Sequence, residues 1–485
     1  MKNFFCILLL TALVGNLSAQ TVKFNNIYTG NTPGLRNILI VDDGYIGLGF
    51  DYYTTKISIL IIKTDIYGNL IWTKIYGDSQ FDYYHGTRNS LIENTDGGYS
   101  LAGHRTNAAN DYRACMLMKF DQNFDTLWTK LYFDNANFTV FYNHIQTTDG
   151  GYALVGTHDE DDPDGDVLLV KTDSEGNMLW YKKYGTSGRD LGVCIIETPD
   201  KGFLIGGGTS FGNGDNYIVK TDSVGNLEWT KNYGSPIYRD GGVSNIIKTL
   251  DSGYIFTASE TLYIISTEII PEQKKGTVKK VDNNYDDVWY RLYGSPSSQT
   301  GIGSIVETQN GELAAILIDG PQDEPSVSSL LFLTASGDSI RQITYEAQGS
   351  IFEQWLLAIK QTPDNGFIMA GVAYEPQVMW LVKTDSCGCI VEDCDCGGSA
   401  VEQHIINNGI EVYPTPANIE IWIEYLILKE SPVSKIDIYN IEGKLVLTQA
   451  IRNGFGVEQV DVSQLSEGNY ILKIGEFTKQ ISVIK

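Results

Sequence analysis

The sequence is poor in basic residues and in histidine, and each shortage argues against a class of function. Lys and Arg number 35 against 60 Asp and Glu, which gives a net charge of −25. This balance disfavours the binding of nucleic acid or anionic lipid through a basic surface. The five histidines lie in no recognised nucleophile motif, so catalysis finds little support. No apolar run after the N-terminus is long enough for a transmembrane helix.

The chain also lacks a sustained helical period of apolar residues beyond its N-terminal region. Instead, a unit of about fifty residues recurs seven times between Thr21 and Ser386, which is typical of an array of similar folding units. Each unit has a glycine turn and, in most copies, a Trp further along, which Phe24 and Arg341 replace in two units. A Tyr follows four residues later, at Tyr28, Tyr76, Tyr132, Tyr184, Tyr233, Tyr293 and Tyr345.

Every unit predicts four short strands. Apolar stretches rich in Val, Ile, Leu, Tyr and Trp are closed by Gly and Asn, which is the pattern of strands joined by hairpin turns. Seven such units predict an all-β fold with a seven-bladed β-propeller at residues 20–386. The last unit has no fourth strand and residues 22–30 resemble one, so we expect the N-terminal strand to close the ring.

Residues that recur in most units are expected to belong to the scaffold. Lys-Thr-Asp triplets stand before the second turn, where the Asp can accept backbone hydrogen bonds, at 63–65, 171–173, 220–222 and 383–385. Glycines on the second strand are expected to let a neighbouring sheet approach closely, and these are Gly103, Gly156, Gly206 and Gly371.

The N-terminus predicts a secretory signal peptide over residues 1–19. Lys2 precedes an apolar run from Phe4 to Val14, and small residues lead to a cleavage site between Ala19 and Gln20. The run is too short for a permanent membrane anchor. We therefore expect a protein exported at least to the periplasm.

A cysteine-rich linker at residues 387–409 follows the repeats, with Cys387, Cys389, Cys394 and Cys396. Disulfides are the favoured interpretation in an exported chain, and a zinc site is the alternative, since four thiols lie close together. Spacing does not reveal the connectivity. Cys115 and Cys194 fall on predicted strands, where we expect buried apolar groups.

Residues 410–485 lack the repeat and predict a small β-sandwich. They carry three motifs in order, which are Tyr413-Pro414-Thr415-Pro416, the strand and turn from Ile438 through Asn440 to Gly443, and Leu465 with Gly468 and Tyr470. This segment resembles the type A C-terminal sorting domain of the type IX secretion system of Bacteroidetes, although Thr415 stands where Asn is usual. The resemblance implies that residues 410–485 engage the secretion machinery and direct the protein to the outer-membrane surface or the medium. In that family the domain is commonly removed.

Loops that do not repeat are the expected place for a binding site, because the tight turns all lie at one end of the blades. Aromatic and arginine side chains are the types that anchor ligands. The loops supply Tyr83, Tyr84, His85, Arg189, Asp190, Tyr238, Arg239 and Asp240. The alternative, which we favour for the two Arg-Asp pairs, is that they fix the loop conformation.

One acid-dense loop at 158–166 resembles the start of a calcium loop through Glu160, Asp162 and Asp164. Lys171 stands where such a loop needs a bidentate Glu, so a solvated acidic loop is favoured over a weak calcium site. No other cofactor is expected.

Together these patterns predict an exported, non-enzymatic binding module for a glycan or protein ligand. The alternative is an extracellular polysaccharide hydrolase or lyase, because acidic residues are plentiful and their separations are invisible in sequence. Regular units favour the first, since an enzyme needs titratable groups that converge in a few units only. Neither a nucleic-acid partner nor a transmembrane segment is expected.

Overall fold

A computed structural model describes the protein over residues 22–28, 34–52, 56–87, 89–107, 112–136, 139–158, 165–186, 188–209, 215–233, 238–240, 242–262, 273–294, 299–320, 325–347, 350, 352–374, 377–391, 409–413, 417, 419–426, 435–450, 455–475 and 477–484. Within these residues the chain is all-β. None of them forms a helix long and apolar enough to cross a membrane.

Strands from Phe24 to Thr384 form seven antiparallel sheets in the described part of the chain, and we number the sheets in chain order. The strands of sheets 1 to 3, preceded by the N-terminal strand, are β1 (Phe24–Tyr28), β2 (Leu35–Val41), β3 (Gly44–Asp51), β4 (Ser58–Asp65), β5 (Leu70–Tyr76), β6 (Asp82–His85), β7 (Leu91–Glu93), β8 (Tyr99–Asn107), β9 (Tyr112–Phe120), β10 (Thr126–Ala136), β11 (Thr139–Gln146), β12 (Tyr152–His158), β13 (Asp166–Thr172) and β14 (Met178–Tyr184).

The strands of sheets 4 to 7 are β15 (Asp190–Glu197), β16 (Phe203–Thr209), β17 (Asp215–Thr221), β18 (Leu227–Tyr233), β19 (Tyr238–Asp240), β20 (Asn245–Lys248), β21 (Tyr254–Leu262), β22 (Gln273–Val281), β23 (Asp287–Tyr293), β24 (Gly301–Glu307), β25 (Leu313–Asp319), β26 (Val327–Leu333), β27 (Ser339–Tyr345), β28 (Gln354–Gln361), β29 (Phe367–Ala373) and β30 (Val378–Thr384). Sheets 2 and 5 have five strands because their first strand is broken into β6 and β7, and into β19 and β20. Four-stranded antiparallel sheets of this kind are consistent with propeller blades.

Turn chemistry explains why each unit folds into such a sheet. In sheet 3 the Asp149 carboxylate accepts the Gly151 N–H at 3.0 Å, and Gly150 has a φ of 86°. The Asp173 carboxylate of the Lys-Thr-Asp triplet accepts the Asn177 N–H at 2.7 Å. These Asp hydrogen bonds and the positive φ close the hairpins β11–β12 and β13–β14.

The Lys of the triplet is also part of the scaffold. Lys171 is buried, and its Nζ lies 2.9 Å from the Asp149 carboxylate at the first turn of the same sheet. Equivalent ion pairs are Lys63–Asp43, Lys119–Asp96, Lys220–Asp200, Lys280–Asp251 and Lys383–Asp364. Sheet 6 carries Phe332 and Asn310 at these two positions. The ammonium therefore links the two turns of a sheet, as expected of a residue that recurs.

The recurring Tyr and Trp connect each sheet to the next. Tyr132 of β10 donates to the Gly176 carbonyl in the second turn of sheet 3 at 2.7 Å, and a Cβ on Gly176 would lie 2.7 Å from the Trp128 ring. Further Tyr hydroxyls that reach the following sheet in this way are those of Tyr76, Tyr184, Tyr293 and Tyr345. Tyr28 makes the same bond to the Gly68 carbonyl of sheet 1, at 2.5 Å.

Apolar cores fill the spaces between successive sheets. One core joins sheets 1 and 2, and further cores join each sheet to its successor up to sheets 6 and 7. Another core combines Leu35 and Ile62 of sheet 1 with Ile368 and Leu381 of sheet 7. The first and last sheets therefore share a core of the same kind as neighbours in sequence.

The N-terminal strand completes sheet 7. β1 pairs antiparallel with β30, from Phe24 opposite Lys383 to Tyr28 opposite Met379. The chain then continues past β30 through a turn in which the Asp385 carboxylate accepts the Cys389 N–H at 2.8 Å. Residues 385–389 repeat the Gly-Asn turn of the other sheets, so the expected linker boundary at 387 falls inside this turn.

Of the four second-strand glycines expected to admit a neighbouring sheet, three face the first strand of their own sheet instead. A Cβ on Gly156 would lie 1.8 Å from the Val140 carbonyl of its own sheet, and Gly103 and Gly371 meet Tyr84 and Trp355 carbonyls in the same way. The first strand of the sheet, which has a bulge or a break there, is what approaches them. A neighbouring sheet approaches only at Gly206, where the Val243 side chain of sheet 5 would lie 2.7 Å from a Cβ.

Residues after 408 form two further sheets around one apolar core. The strands are β31 (Gly409–Tyr413), β32 (Glu420–Leu426), β33 (Lys435–Asn440), β34 (Leu445–Ala450), β35 (Phe455–Asp461), β36 (Gly468–Ile474) and β37 (Phe477–Val483). The sheet orders are β31-β32-β35 and β34-β33-β36-β37. Ile421 and Val460 of the first sheet share a core with Ile438, Leu472 and Ile481 of the second.

Candidate ligand-binding face

Antiparallel order places the tight turns and the variable connections at opposite ends of the sheets. We call the end with the Lys–Asp pairs the turn end. The opposite end, which carries the connections between second and third strands and between successive sheets, is the loop end. All the binding residues predicted from the sequence belong to the loop end or to strands that begin there.

A bulge in the first strand of several sheets leaves one residue without a partner in the ladder. The register shifts between Leu35 and Asn37, between Phe141 and Asn143, between Gly192 and Cys194, and between Leu356 and Ala358. The residues that have no partner in the ladder at these bulges are Arg36, Tyr142, Val193 and Leu357. A bulge re-aims a side chain away from the sheet, and bulges are common beside functional sites.

Thr87, in the break between β6 and β7 of sheet 2, contacts two of these bulged strands. Its N–H donates to the Tyr142 carbonyl at 2.7 Å, and its Oγ1 donates to the Val193 carbonyl at 3.2 Å. Sheets 2, 3 and 4 therefore meet at hydrogen-bond distance along their first strands. The bulged residues Tyr142 and Val193 therefore lie close to each other.

One aromatic group at the loop end lies between sheets 1 and 2. Phe50 stacks on His85 with ring centroids 3.9 Å apart, and the Arg36 guanidinium lies 6.0 Å from the Phe50 ring. Tyr52 is 48% exposed beside Phe50, at 6.2 Å. The group thus combines an exposed cation with an exposed phenol ring.

A second group extends from sheet 2 to sheet 4. Tyr84 stacks on His104 at 4.9 Å and also lies 6.1 Å from Phe50, so the two groups are continuous. Arg113 stands opposite Thr106 on the neighbouring strand. Tyr142 is half-buried, and the charges of Arg189 and Arg113 both act on its hydroxyl.

The histidines of these groups are neutral near pH 7. Complete burial lowers the pKa of His85 to about 3, although its hydrogen bond to the Gly86 carbonyl opposes the shift. Burial lowers the pKa of His104 to about 3 as well, with Arg113 adding to the effect. Within the described residues, His85 Nε2 and His104 Nδ1 have no hydrogen-bond partner. Such imidazoles are weak bases, because a general base works best with a pKa near the working pH.

Burial raises the pKa of Tyr142, and the two arginines oppose that shift. Its hydroxyl is therefore protonated at neutral pH and can donate or accept a hydrogen bond.

Two predicted residues have partners that indicate other roles. The Tyr83 hydroxyl donates to the Asp78 carboxylate at 2.7 Å, and Tyr83 lines a separate cavity of about 450 Å³ with Arg105 and Leu131. Asp190 is fully buried and accepts the Thr186 N–H at 2.5 Å. A hydrogen bond of this kind fixes a loop conformation, which is the alternative role given above for the Arg-Asp pairs. The neighbouring Arg189 is exposed.

Some residues predicted to form a site lie wholly or partly outside the described part of the chain. Tyr238, Arg239 and Asp240 form β19, which pairs with β21, but their side chains lie outside the description. The calcium candidates Glu160, Asp162 and Asp164 lie outside the described residues, as do Ala19 and Gln20. Among the residues that are described, no group of three His, Cys, Asp or Glu could hold a metal ion.

Sequence reasoning missed Arg36, Phe50, His104, Arg113 and Tyr142. A signal for two of them exists, because Arg36 and Tyr142 occupy the same position of the unit, nine and ten residues before the aromatic anchors Tyr45 and Tyr152. That position varies from unit to unit within an otherwise regular strand. Variation at a fixed place inside a repeat therefore marks the bulged residues.

The cysteines of the linker are partly described. Cys387 and Cys389 are disulfide-bonded, while Cys394 and Cys396 lie outside the described residues, so the connectivity stays open. Cys115 and Cys194 are free and buried on strands, as expected.

Comparison with known families assigns the C-terminal sheets. Residues 411–485 match the secretion system C-terminal sorting domain. The match confirms a C-terminal sorting domain of the type IX secretion system, which implies export to the cell surface or the medium. The type A class and the Bacteroidetes origin stay predictions. No curated protein matches the chain.

The sequence motifs of the sorting domain have structural roles. The Asn440 carboxamide oxygen accepts the Lys444 N–H at 2.9 Å, and Gly443 has a φ of 79° in the same turn. Leu465 and Tyr470 are buried in the core, and Tyr470 donates to the Ser466 carbonyl at 2.7 Å. Gly468 begins β36, Tyr413 ends β31, and Pro414 and Pro416 lie outside the described residues.

Solved structures resemble the chain only distantly. A protein of unknown function from Bacteroides caccae is 10% identical, with 64% of this chain and 97% of that chain covered and a TM-score of 0.36. Penicillium chrysogenum alpha-L-arabinanase complexed with arabinobiose is 10% identical, with 76% and 97% covered and a TM-score of 0.42. Drosophila Plexin A in complex with Semaphorin 1b is 10% identical, with 75% and 88% covered and a TM-score of 0.42. Likenesses with TM-scores below 0.5 define neither the fold nor the activity of this chain.

Proposed function

We propose that the seven sheets are the blades of a closed seven-bladed β-propeller. Two observations support closure: the core shared by sheets 1 and 7, and the Tyr28 hydrogen bond to Gly68, which matches the bonds between sequential sheets. A closed ring gives every sheet two covered faces. It also brings the loop ends of all sheets around one axis.

On this scaffold, we propose an exported, non-enzymatic binding module that captures an extracellular glycan or protein ligand at its loop end. The observation that carries the proposal is the continuous run of contacts from Arg36 through Phe50 and Tyr84 to His104. Arginine and tyrosine at the centre of a surface are the side chains that dominate binding energy. The turn end, by contrast, uses its charged residues within the scaffold.

Titration behaviour supports binding rather than catalysis. Among described carboxyl groups with a shifted pKa, every shift is downward, as at Asp149, Asp200 and Asp251, each with a pKa of about 2. A glycosidase acid needs a raised pKa instead. The neutral, buried His85 and His104 are also poor proton acceptors.

A hydrolase or lyase is the second candidate, and one observation favours it. Within the described residues, His85 Nε2 and His104 Nδ1 lack hydrogen-bond partners, and His104 stacks on Tyr84 with ring centroids 4.9 Å apart. A substrate that loses a proton readily can still transfer it to such a neutral imidazole.

Binding and turnover are tested together on the full-length chain recovered after export. Glycans immobilised on an array are probed for retention, and the same glycans in solution are analysed for shorter products. Retention without product supports a binding module, and product formation contradicts it. Lys182→Gln, an exposed cation on the outer strand of sheet 3, serves as the control for non-specific charge effects.

Export is tested separately. We propose that the signal peptide of residues 1–19 delivers the chain to the periplasm and that the sorting domain carries it across the outer membrane. A periplasmic reporter fused to residues 387–485 is expected at the surface or in the medium of a type IX-competent host. A reporter that stays in the periplasm contradicts the assignment.

A further inference from the structure

Sheet 6 is the exception at the turn end, because it departs from the other sheets at three positions. Six sheets carry the Lys–Asp ion pair between their two turns, whereas sheet 6 has Phe332 and Asn310 there. At the junction of the first turn and the second strand, those six sheets have glycine and sheet 6 has Glu312. In sheet 3 a Cβ on this glycine, Gly151, would lie 2.7 Å from the Lys171 Nζ, so loss of the Lys removes one of the atoms that exclude a side chain.

The change from Asp to Asn at position 310 makes a hydrogen-bond donor available. In sheet 3 the Asp149 carboxylate accepts from the Thr147 hydroxyl and from the Lys171 ammonium. Asn310 keeps the first of these bonds, because its amide oxygen accepts from the Thr308 hydroxyl. Its NH2 group replaces the oxygen that the Lys would bind, and it donates to no other described residue.

A cavity of about 390 Å³ lies beside these positions, between sheets 6 and 7. All the residues that line it are described, and they belong to the turn end of the two sheets. Phe332 and Phe367 form its apolar wall, with ring centroids 5.5 Å apart. Its polar lining is mainly four amides and one carboxylate, those of Gln309, Asn310, Gln361, Asn365 and Glu312. Sites for small molecules commonly enclose about 300–1,000 Å³, so the cavity is large enough for one.

Glu312 is the one charged side chain among the described residues that line the cavity. A cation lies nearby, because the Arg341 guanidinium is 3.7 Å from the centroid of the Phe332 ring, which belongs to the lining. Burial lowers the pKa of Arg341, and the negative charge of Glu312 opposes that shift. The two charges therefore act on each other, and the cavity has no large excess of either sign.

We propose that this cavity is a second ligand site, which binds a neutral sugar unit. Amide groups donate and accept hydrogen bonds, as sugar hydroxyls do, and the Glu312 carboxylate accepts from hydroxyl groups. The apolar wall of Phe332 and Phe367 suits the C–H groups of a sugar ring. The site goes beyond the proposed function, because it lies at the opposite end of the sheets from the proposed binding face.

Charged ligands fit this lining less well. Calcium takes about six to eight oxygen ligands, usually with several carboxylates, and the lining supplies one carboxylate. An anion would face the Glu312 carboxylate, and it would gain no hydrogen bond from Arg341 Nε, which donates to the Cys387 carbonyl at 3.3 Å.

The test titrates the full-length chain recovered after export with five small molecules, followed by calorimetry. Maltose, cellobiose and galactobiose are neutral sugars, digalacturonate is an acidic sugar, and cadaverine is a diamine. At least one neutral disaccharide is expected to bind more tightly than digalacturonate and cadaverine. Binding of the charged probes alone overturns the proposal. Absence of binding also overturns it, including absence because a part of the chain outside the described residues fills the cavity.

A variant that restores the common turn tests the position of the site. Asn310→Asp, Glu312→Gly and Phe332→Lys together give sheet 6 the residues of sheets 3, 4 and 7 at these positions. The restored ion pair should occupy the cavity, so we expect sugar binding at least about tenfold weaker with an unfolding temperature no lower than that of the wild type.

A single substitution covers the case in which the triple variant fails to fold. Glu312→Gln keeps the size of the side chain and should weaken sugar binding by about tenfold, the effect of losing one charge-assisted hydrogen bond. Glu175→Gln, an exposed acid in the second turn of sheet 3, is the matched control and should bind as the wild type does. Unchanged affinity in Glu312→Gln overturns the proposal.

The same titrations separate this site from the proposed binding face. Sugar binding that Tyr142→Ala abolishes and Glu312→Gln leaves intact belongs to the loop end, which overturns this proposal and supports the proposed function. Sugar binding that Glu312→Gln weakens and Tyr142→Ala leaves intact supports this site, whatever the ligand of the loop end is.

Discussion

The two ends of the sheets use their charged residues in different ways. At the turn end, Lys171 and Asp149 neutralise each other, and the same pair recurs in six sheets. At the loop end, Arg36 lies beside the ring of Phe50, and Phe50 stacks on His85. Repetition therefore helps to separate scaffold from candidate site: a residue that recurs in most units holds the unit together, whereas a residue found in one unit is a candidate for ligand binding.

Breaking the contact between the first and last sheets should have the largest effect. Phe24→Ala combined with Tyr28→Ala removes the ring that packs on Gly68 and the hydrogen bond to its carbonyl. We expect a loss on the order of 4 kcal/mol in the free energy of unfolding, since two aromatic side chains leave apolar cores. Urea-induced unfolding measures it.

Trp128→Ala with Tyr132→Ala is the matched control, because these residues make the same contacts between sheets 2 and 3. Similar losses in the two double variants support a closed ring. A much smaller loss for the N-terminal pair contradicts closure.

A second comparison separates binding from stability. Tyr142→Ala should weaken ligand binding by about tenfold or more, because an aromatic anchor of a binding site is lost. Lys220→Met should leave binding unchanged and lower the free energy of unfolding, since Lys220 is 1% exposed and pairs with Asp200 and Glu228. Affinity and urea unfolding are measured on both variants.

Lys182→Ala, an exposed side chain on the outer strand of sheet 3, should change neither quantity. If Lys220→Met weakened binding as much as Tyr142→Ala did, the assignment of the proposed function to the loop end would be wrong.

Removing a single hydroxyl oxygen should weaken the contact between neighbouring sheets. Tyr184→Phe removes the hydroxyl that donates to the Gly225 carbonyl at 2.7 Å. Because the carbonyl loses its partner, we expect a loss of about 1 kcal/mol in urea unfolding. Tyr181→Phe should cost nothing measurable, and equal losses in both variants would show that the bond has no special role.

The sequence predicts those features that depend on residues close together in the chain. The four strands of sheet 3 were predicted as the pattern of one unit, since apolar runs and Gly-Asn turns act over a few residues. Arg36 and Tyr142 were missed because a bulge depends on the register between strands. Tyr83 and His85 are two residues apart on β6 but have different surroundings, which only the contacts with Asp78 and Phe50 reveal.

The smallest expected effect is a pH-dependent change in the free energy of unfolding, caused by an ion pair at the turn end. The hydrogen bond from Lys280, with those from Thr249 and Gly253, lowers the pKa of Asp251 to about 2 against the opposing effect of burial. A carboxyl with a lowered folded-state pKa stabilises the fold above its unfolded pKa of about 3.9 and loses that contribution as the pH falls towards 2. The side chain is 58% exposed, so solvent screening limits the contribution to about 0.5 kcal/mol.

Asp251→Asn should therefore be about 0.5 kcal/mol less stable than the wild type at neutral pH, and the difference should vanish between about pH 4 and pH 2. Urea unfolding across this range measures it, with Asp286→Asn in an exposed turn as the control. A difference that persists at low pH would mean that the ion pair does not stabilise the sheet. Sheet 6, which has Asn310 and Phe332 at the paired positions, already folds without this contact, and a small effect is what that tolerance implies.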